Sequence, residues 1–218
     1  MNEQQVKSKE RVVNHGEVFT AQREVQAMCD LVKDETERID SKFLEPACGE
    51  GNFLVEILER KLTVVKNRYK KSSFDYERYS VLAITSLYGI DILEDNVKEC
   101  RKRLFEIWNK EYIKIVKDQA SEDCREAVRF ILAKNIICGD ALTMKQNDGN
   151  PIIFSEWNLI NSNQMKRRDF VFHELINVEE VEFSLFANAE YDEKTQALIP
   201  TPVKEYPLID YRQVQNYE

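Results

Sequence analysis

Histidine is scarce in this chain, and its cysteines are not arranged as metal-binding pairs. There are only two histidines, His15 and His173, and the five cysteines include no Cys-x-x-Cys pair. A structural zinc site needs about four Cys or His ligands, usually in closely spaced pairs. We therefore predict no metal site. The number of cysteines is odd, and we expect reduced, mostly buried thiols.

Long apolar runs are also absent. No run approaches the roughly 20 apolar residues that cross a bilayer. The start, Met-Asn-Glu-Gln-Gln-Val-Lys, lacks the apolar centre of a signal peptide. We expect a cytoplasmic protein with no membrane contact. With 218 residues, 43% of them hydrophobic and 32% charged, the chain can bury a core of its own, and one domain is the simplest expectation.

A basic excess is missing as well. The formal net charge is −8, whereas proteins that grip DNA alone normally carry an excess of Lys and Arg. Either DNA is not a partner, or another chain supplies most of the phosphate contacts.

The most informative stretch that is present runs from Phe43 to Leu54, Phe-Leu-Glu-Pro-Ala-Cys-Gly-Glu-Gly-Asn-Phe-Leu. It predicts a short buried strand, a tight turn with Gly49 and Gly51, and a helix that continues to about Lys70. Such a turn brings free backbone N–H groups and the positive end of a helix to one point, where they can hold a polar ligand group. Glu45 precedes the turn and favours a ligand with an amine, because it would repel a pyrophosphate.

This motif resembles the cofactor motif of the N6-adenine DNA methyltransferases of restriction–modification systems, which is usually Asp/Glu-Pro-Ala-Cys-Gly-Ser/Thr-Gly-Asn/Ala-Phe. The resemblance implies that the motif binds S-adenosyl-L-methionine. The alternative is a turn that merely joins a strand to a helix. The cofactor contacts implied within the motif are Glu45, Ala47, Cys48, Gly49, Gly51 and Asn52.

An earlier segment, His15-Gly-Glu-Val-Phe-Thr-Ala, resembles the Gly-x-x-Phe/Tyr-Thr-Pro segment of the same enzymes, with Ala21 in place of the usual Pro. By that resemblance Phe19 and Thr20 contact the methionine part of the cofactor. From the residues alone, Thr20 is the N-cap of a helix, and the alternative is a plain cap with a core Phe. The predicted apolar stripe of this helix is Val25, Met28, Cys29 and Val32.

Two further strands are predicted to end in an acid, one at Asp91 and one, within Asn135–Leu142, at Asp140. Ser86–Ile92 leads into Asp91, and an acid at this strand end accepts hydrogen bonds from ribose hydroxyls in nucleotide-binding α/β folds. Gly51 and Asp91 are about twice as far apart as the roughly 20 residues that are usual, which an inserted helix over residues 76–85 explains. The resemblance implies that Ile92 packs on adenine. It also implies that Asp140, followed by Ala141, binds the adenine amino group. A simple helix cap is the alternative for Asp91.

The recurrence of strand, acid and helix predicts an α/β fold with a parallel sheet. The resemblance implies a Rossmann-like methyltransferase sheet, which this chain need not complete. The residues after 145 themselves predict a C-terminal β-hairpin, and the prolines near the end predict an extended tail. We assign residues 1–145 to the S-adenosylmethionine-binding domain. Residues 146–218 hold the hairpin and tail, and whether they are a partner-binding region of the same domain stays open.

The catalytic motif of the family, Asn/Asp-Pro-Pro-Tyr/Phe/Trp, is absent. Asn150-Pro151 is followed by Ile152 and Ile153, which supply no aromatic ring to stack on a flipped base. We interpret it as a structural turn and assign no catalytic residue. The resemblance covers roughly residues 15–142.

Two functions follow. In the first, the chain is the cofactor-binding subunit of a split DNA methyltransferase and is inactive alone. A second subunit brings the catalytic motif and target recognition, and DNA is bound through the complex. In the second, the chain is a non-catalytic accessory or regulatory module that binds the cofactor. A complete methyltransferase for another substrate is the third and weaker alternative, because Tyr76, Tyr79, His173 and Glu174 form no signature that supports it.

Overall fold

The structure is a computed structural model that describes residues 7–15, 17–161, 163–176, 189–192 and 197–217. Over these residues the chain is a mixed α/β protein. The helices are α1 (Lys9–His15), α2 (Gln22–Leu31), α3 (Lys33–Thr36), α4 (Asn52–Tyr69), α5 (Ser73–Thr85), α6 (Glu94–Val116), α7 (Glu122–Asn135) and α8 (Phe172–Ile176), with short 3-10 helices at Lys117–Gln119 and Tyr211–Tyr217.

Ten strands are formed by the described residues. They are β1 (Phe43–Glu45), β2 (Leu87–Asp91), β3 (Ile136–Asp140), β4 (Lys145–Gln146), β5 (Ile153–Ile160), β6 (Gln164–Val171), β7 (Ala189–Asp192), β8 (Ala197–Pro200), β9 (Lys204–Glu205) and β10 (Ile209–Asp210).

The first sheet has the order β1-β2-β3-β4. β2 runs parallel to both β1 and β3, while β4 is antiparallel to β3. The prediction of a parallel sheet from alternating strands and helices is therefore confirmed for β1–β3. Parallel neighbours require long crossovers, which are provided by α4 with α5 and by α6 with α7.

The main core lies between one face of this sheet and helices α4–α7. Leu87 and Ile136 point into it from the strands, and Trp108 of α6 stacks on Tyr112 at 4.6 Å between ring centroids. Lys61 of α4 is also fully buried there. Its ammonium group donates to Ile39 O, Ser41 O and Ser86 Oγ, and burial lowers its pKa to about 7.

The opposite face of the first sheet carries a smaller core. Successive residues of a strand point to opposite faces, so Tyr88 and Ile90 face away from Leu87. They pack with Ile152 and Phe154 of the segment that enters the second sheet. The Tyr88 hydroxyl donates to Ser155 O at 3.0 Å, which fixes β5 against β2.

The second sheet is antiparallel and is built on the predicted hairpin, which is confirmed as β5 and β6 with Ile153 opposite Val171. The tail adds β9 and β10 to β6. Asn135 at the end of α7 joins the two sheets. Its side chain donates to Leu87 O at 3.2 Å and accepts from Trp157 Nε1 at 3.0 Å.

The end of the chain differs from the predicted extended tail, because Tyr211–Tyr217 is a 3-10 helix. The buried carboxylate of Glu77 explains its position. Glu77 accepts from the Tyr211 hydroxyl at 2.5 Å and from Arg212 Nε at 2.6 Å, and it also accepts from the Tyr112 hydroxyl.

Three local predictions near the N-terminus are wrong. Helix α2 is capped by Ala21 without a side-chain hydrogen bond, not by Thr20. In the predicted stripe of α2 only Val25 and Cys29 are buried, and Met28 and Val32 are about half exposed. β1 is not fully buried either, because Leu44 is 42% exposed. The periodicity of the apolar residues correctly predicts the helix. It does not show which of these side chains pack against another element, and in the described residues Met28 and Val32 remain exposed.

All five cysteines are free, and four of them are buried. Over the described ranges, no three His, Cys, Asp or Glu side chains are grouped so that they could hold a metal ion. None of the helices described here has the length and apolar character to cross a bilayer.

Candidate functional site

A cavity of about 550 Å³ opens where β1, β2 and β3 end. Parallel strands present their carboxyl ends at one edge of the sheet, which is where α/β proteins bind ligands. Eleven of the twelve residues predicted from the sequence line this cavity, and they are Phe19, Thr20, Glu45, Ala47, Cys48, Gly49, Asn52, Asp91, Ile92, Asp140 and Ala141. Gly51 lies behind the turn instead.

The glycine turn between β1 and α4 has left-handed backbone at Gly49 (φ +52°) and Gly51 (φ +84°). A Cβ on Gly51 would lie 2.5 Å from Cys100 Sγ of α6. That distance is far inside normal contact, so the turn and α6 pack as closely as they do only because residue 51 has no side chain. Gly51 therefore shapes the site from behind.

The turn offers fewer free N–H groups than the sequence predicts. The N–H of Cys48 donates to Ile90 O at 2.8 Å, and that of Gly51 donates to Cys48 O at 2.7 Å. The N–H of Gly49 donates to Asp91 Oδ2 at 2.9 Å. These three groups hold the turn onto β2 and onto itself.

Asp91 is the residue that ties the turn to the end of β2. Besides Gly49, it accepts from Leu93 N at 2.9 Å and from Asn96 Nδ2 at 3.2 Å, both through Oδ1. A carboxylate can accept about four hydrogen bonds, so it retains acceptor capacity toward the cavity. The N-cap of α6 is Leu93, and it has no side-chain cap hydrogen bond, so the alternative of a simple helix cap is wrong for Asp91. Asp91 lines the cavity, and its contact with a ribose stays a prediction.

Glu45 is the acid at the end of β1, and it is partly buried in the wall of the cavity. Burial raises the pKa of its carboxyl, and a hydrogen bond from the Ala47 N–H opposes that rise. No lysine or arginine is among the described residues that line the cavity. A cationic group would therefore be the favourable neighbour for Glu45 here.

The third strand contributes Asp140, whose Oδ1 accepts from Leu142 N at 2.8 Å. This bond forms a local turn that directs the chain out of the sheet. Ile92 and Leu142 then stand at the rim of the cavity with their side chains largely exposed. The rim on this side is therefore apolar, and the polar groups lie deeper.

The segment before α2 closes the opposite side. The Phe19 ring lies over the turn, 3.1 Å from the place of a Cβ on Gly49. Asn52 Nδ2 donates to Thr20 O at 3.1 Å, and Asn52 Oδ1 accepts from Arg103 of α6 at 2.9 Å. Asn52 therefore joins three parts of the chain that are distant in sequence.

Sequence reasoning missed Glu17 and Asn96. Asn96 is buried, and its Nδ2 donates to Glu17 Oε1 at 2.7 Å as well as to Asp91, while its Oδ1 accepts from Lys7 and Arg11. The guanidinium of Arg11 lies against Glu17 at 2.6 Å and helps to lower the pKa of that carboxyl. Glu17 sits inside the segment that the resemblance singled out, but nothing in the sequence marked Asn96.

The Asn150–Pro151 pair lies in a turn, as interpreted. Lys145 bridges to Pro151, Asp148 Oδ1 accepts from Asn150 N at 2.9 Å, and Gly149 is left-handed at φ +85°. Neither residue lines the cavity.

Comparisons with models of protein families, with curated proteins and with solved structures found no match to this chain.

Proposed function

We propose that this chain is the S-adenosyl-L-methionine-binding subunit of a split N6-adenine DNA methyltransferase of a restriction–modification system. Its first sheet would then be a Rossmann-like methyltransferase sheet that a second chain completes, and the pair would act in the cytoplasm. The observation that carries the proposal is an acidic cavity at the ends of three parallel strands, with Glu45, Asp91 and Asp140 each at a strand end.

The charge of the cavity favours this ligand over a nucleotide phosphate. Four acids, Glu17, Glu45, Asp91 and Asp140, line it. Carboxylates stabilise a cation and repel a phosphate. S-adenosylmethionine carries an ammonium group and a sulfonium, whereas a dinucleotide carries a pyrophosphate. The turn agrees with this choice, because its N–H groups at Cys48, Gly49 and Gly51 already have acceptors within the protein.

In this proposal, residues from different walls of the cavity bind different parts of the cofactor. Glu45 binds the amino group of the methionine part, with the Phe19 ring above the turn. Asp91 accepts from the ribose hydroxyls while its other bonds hold it in place, and Ile92 covers one face of adenine. Asp140 accepts from the adenine amino group. The cofactor supplies a methyl group made electrophilic by the positive sulfur, and the protein's contribution is to align that methyl group with an acceptor.

The acceptor side must come from elsewhere. The sequence has no Asn-Pro-Pro or Asp-Pro-Pro, and its net charge is −8. DNA binding depends on basic groups that neutralise phosphates. A second subunit with the catalytic motif, a target-recognition domain and a basic surface would provide both, so that DNA is bound through the complex.

The cofactor half of the proposal is tested by calorimetric titration of the full chain with S-adenosylmethionine. Glu45→Gln and Asp140→Asn should each weaken binding by about tenfold or more, because a charge-assisted hydrogen bond contributes about 1.5–3 kcal/mol. Asp123→Asn, at an exposed acid in α7, should leave the affinity unchanged. Equal affinity in all four proteins would contradict the site.

The split-enzyme half is tested by transfer of labelled methyl groups to DNA. The isolated chain should be inactive, and activity should appear when the product of the adjacent open reading frame is added. Methylation by the chain alone would refute the split. Cofactor binding without methylation in any mixture would favour the alternative, a non-catalytic accessory or regulatory module. This alternative is favoured by the position of Asn150–Pro151 in a structural turn, because the pair then supplies no catalytic group.

A further inference from the structure

The outer edge of β1 has no strand partner among the described residues. β1 pairs only with β2, and it stands at the end of the strand order. The Phe43 N–H donates toward β2, to Ser86 O at 2.9 Å. Because alternate residues of a parallel strand bond to opposite sides, the N–H and C=O of Leu44 point away from β2, toward this unpaired edge.

A groove of about 430 Å³ runs along the same edge. Phe43 and Leu44 point to opposite faces of the sheet, yet both line the groove, which indicates that it follows the edge of the strand. Its other wall is apolar and comes from the second sheet and α8, with Phe154, Phe170, Phe172, Leu175 and Ile176, and Pro200 of β8 also borders the groove. Leu44, Leu175 and Ile176 are each at least 40% exposed, so this wall is open to an apolar partner.

Three charged side chains are also among the residues that line the groove. Glu156 on β5 accepts from Lys42 at 2.6 Å and from Arg168 Nε at 3.0 Å. The carboxylate of Glu156 is therefore paired with both cations, and the cluster keeps one net positive charge. The other lining residues beside Leu44 are mostly aromatic and aliphatic, and this part of the groove suits a backbone with apolar side chains.

The groove and the cavity meet at consecutive residues, because Leu44 lines the groove and Glu45 lines the cavity. In an open α/β sheet the ligand crevice lies where the strand order reverses, which places a strand on each side of the strand that carries the glycine turn. Here β2 fills one side and the groove lies on the other.

We propose that the outer edge of β1 receives a parallel β-strand of the second subunit, an inference that rests on the proposed function. The strand bonds to the N–H and C=O of Leu44 and places apolar side chains, at alternate positions, against the aromatic wall. β1 is only three residues long, so most of the binding energy comes from apolar burial and the backbone bonds fix the register. A parallel direction brings the carboxyl end of the added strand to the cavity, where the acceptor groups are needed.

The test measures binding of the adjacent open reading frame's product to the full chain by analytical ultracentrifugation. Leu44→Pro removes the outward N–H without breaking the Phe43 bond to β2, since edge strands tolerate Pro when its nitrogen faces outward. Leu44→Lys places a charge in the apolar groove. Both variants should weaken the complex at least tenfold and leave the cofactor affinity of the isolated chain unchanged. Leu31→Lys is the control, because Leu31 is 85% exposed on α2 and outside the groove.

Amide hydrogen exchange of the unaltered proteins keeps the inference testable if a variant fails to fold. The Leu44 amide should exchange rapidly in the isolated chain and at least tenfold more slowly in the complex. A complex that Leu44→Pro and Leu44→Lys do not weaken would overturn the edge inference but leave the proposed function standing. Protection of the Leu44 amide in the isolated chain would also overturn it, because the edge would already be covered. Failure of the isolated chain to bind S-adenosylmethionine would instead overturn the proposed function.

Discussion

Glu45 and Asp91 occupy equivalent positions at the ends of neighbouring strands, but their surroundings differ. Asp91 accepts three hydrogen bonds from Gly49, Leu93 and Asn96. Burial raises the pKa of Glu45, and among the described residues the hydrogen bond from the Ala47 N–H is the one interaction that opposes this rise. Most of the acceptor capacity of Asp91 therefore serves the fold, and Glu45 is the acid with more capacity left for a ligand.

This difference yields a pH prediction for Glu45. Its pKa is raised above the ordinary value of 4.5, and only the ionised carboxylate attracts an ammonium group. Affinity for S-adenosylmethionine should therefore be constant near neutral pH and fall on acidification, beginning above the pH at which an exposed Glu would protonate. Calorimetric titration as a function of pH measures this. Glu45→Gln should bind more weakly and lose that part of the pH dependence, and an unchanged profile would contradict the role of Glu45.

The same difference decides which variants are informative. Replacing Asp91 by Ala leaves the Gly49, Leu93 and Asn96 donors without their acceptor, and each unpaired buried group costs about 1–3 kcal/mol. Loss of cofactor binding in that variant would be ambiguous, since the turn itself would loosen. Asp140 accepts one bond from Leu142, which Asn can also accept. Asp140→Asn is therefore the cleaner substitution.

Among the elements, the turn from β1 to α4 depends on its packing against α6. Gly51 needs its left-handed backbone and also the absence of a Cβ, because Cys100 Sγ lies 2.5 Å from where that atom would be. Gly149 has almost the same φ, +85°, but nothing lies within 4 Å of its Cβ position. Comparing the two glycines therefore distinguishes the need for a left-handed backbone, which both have, from the need for space at the Cβ position, which only Gly51 has.

Gly51→Ala should lower the free energy of unfolding by about 3 kcal/mol, since it adds steric overlap to backbone strain. Gly149→Ala should cost only about 1 kcal/mol, from strain alone. In the double variant Gly51→Ala with Cys100→Ala, the loss should be smaller than the sum of the single losses by about 1 kcal/mol. Urea denaturation measures the free energy of unfolding of Gly51→Ala, Gly149→Ala, Cys100→Ala and the double variant. If the losses of Gly51→Ala and Cys100→Ala simply add in the double variant, Cys100 is not the atom group that a Cβ at residue 51 would clash with.

The elements that sequence patterns predict best are those with long apolar periodicity. The apolar residues at helical spacing in α6 predict an inner stripe of Val97, Cys100, Leu104, Ile107 and Trp108, and all of them are buried except Ile107, which is only partly buried. Ser121 is predicted to cap a helix, and it caps α7 by accepting from Cys124 N. Predictions failed where tertiary neighbours decide. Thr20 is a good cap by residue type, but α2 begins after Ala21, with the Thr20 carbonyl bonded to Asn52.

The site shows the same limit. Residues next to a recognisable turn or strand end could be predicted to gather, because parallel strands end at one edge. The contribution of Asn96 could not, since it depends on Arg11 of α1 and on Lys7, which precedes α1, reaching the start of α6. These contacts join residues 85 and 89 positions apart, and no local pattern predicts them.

At the scale of the whole molecule, the C-terminal helix at Tyr211–Tyr217 is fixed to the main core by one carboxylate. Glu77 is 1% exposed and accepts from Tyr112, Tyr211 and Arg212. Val214 is buried in the same core. Asn135 therefore helps to join the second sheet to the main core, and Glu77 helps to join the C-terminal helix to it.

Glu77→Ala should lower the free energy of unfolding by about 3 kcal/mol, as expected when one partner of a buried charged pair is removed. Glu111→Ala, which breaks only surface pairs with Lys66 and Lys114, should cost about 1 kcal/mol or less. Urea unfolding followed by circular dichroism and by Trp fluorescence measures both. The unaltered chain should unfold in one transition by both probes, and two separate transitions would contradict this coupling.

The cavity is lined by segments that begin at Glu17 and end at Leu142. Its walls come together only after the chain has closed two long crossovers, and each closure has an entropic cost that grows slowly with loop length. An early folding intermediate that lacks β3 therefore has no complete binding site. A small molecule that occupies the finished cavity would bind the native state alone, and mass action would spread its stabilisation over more than half of the polypeptide.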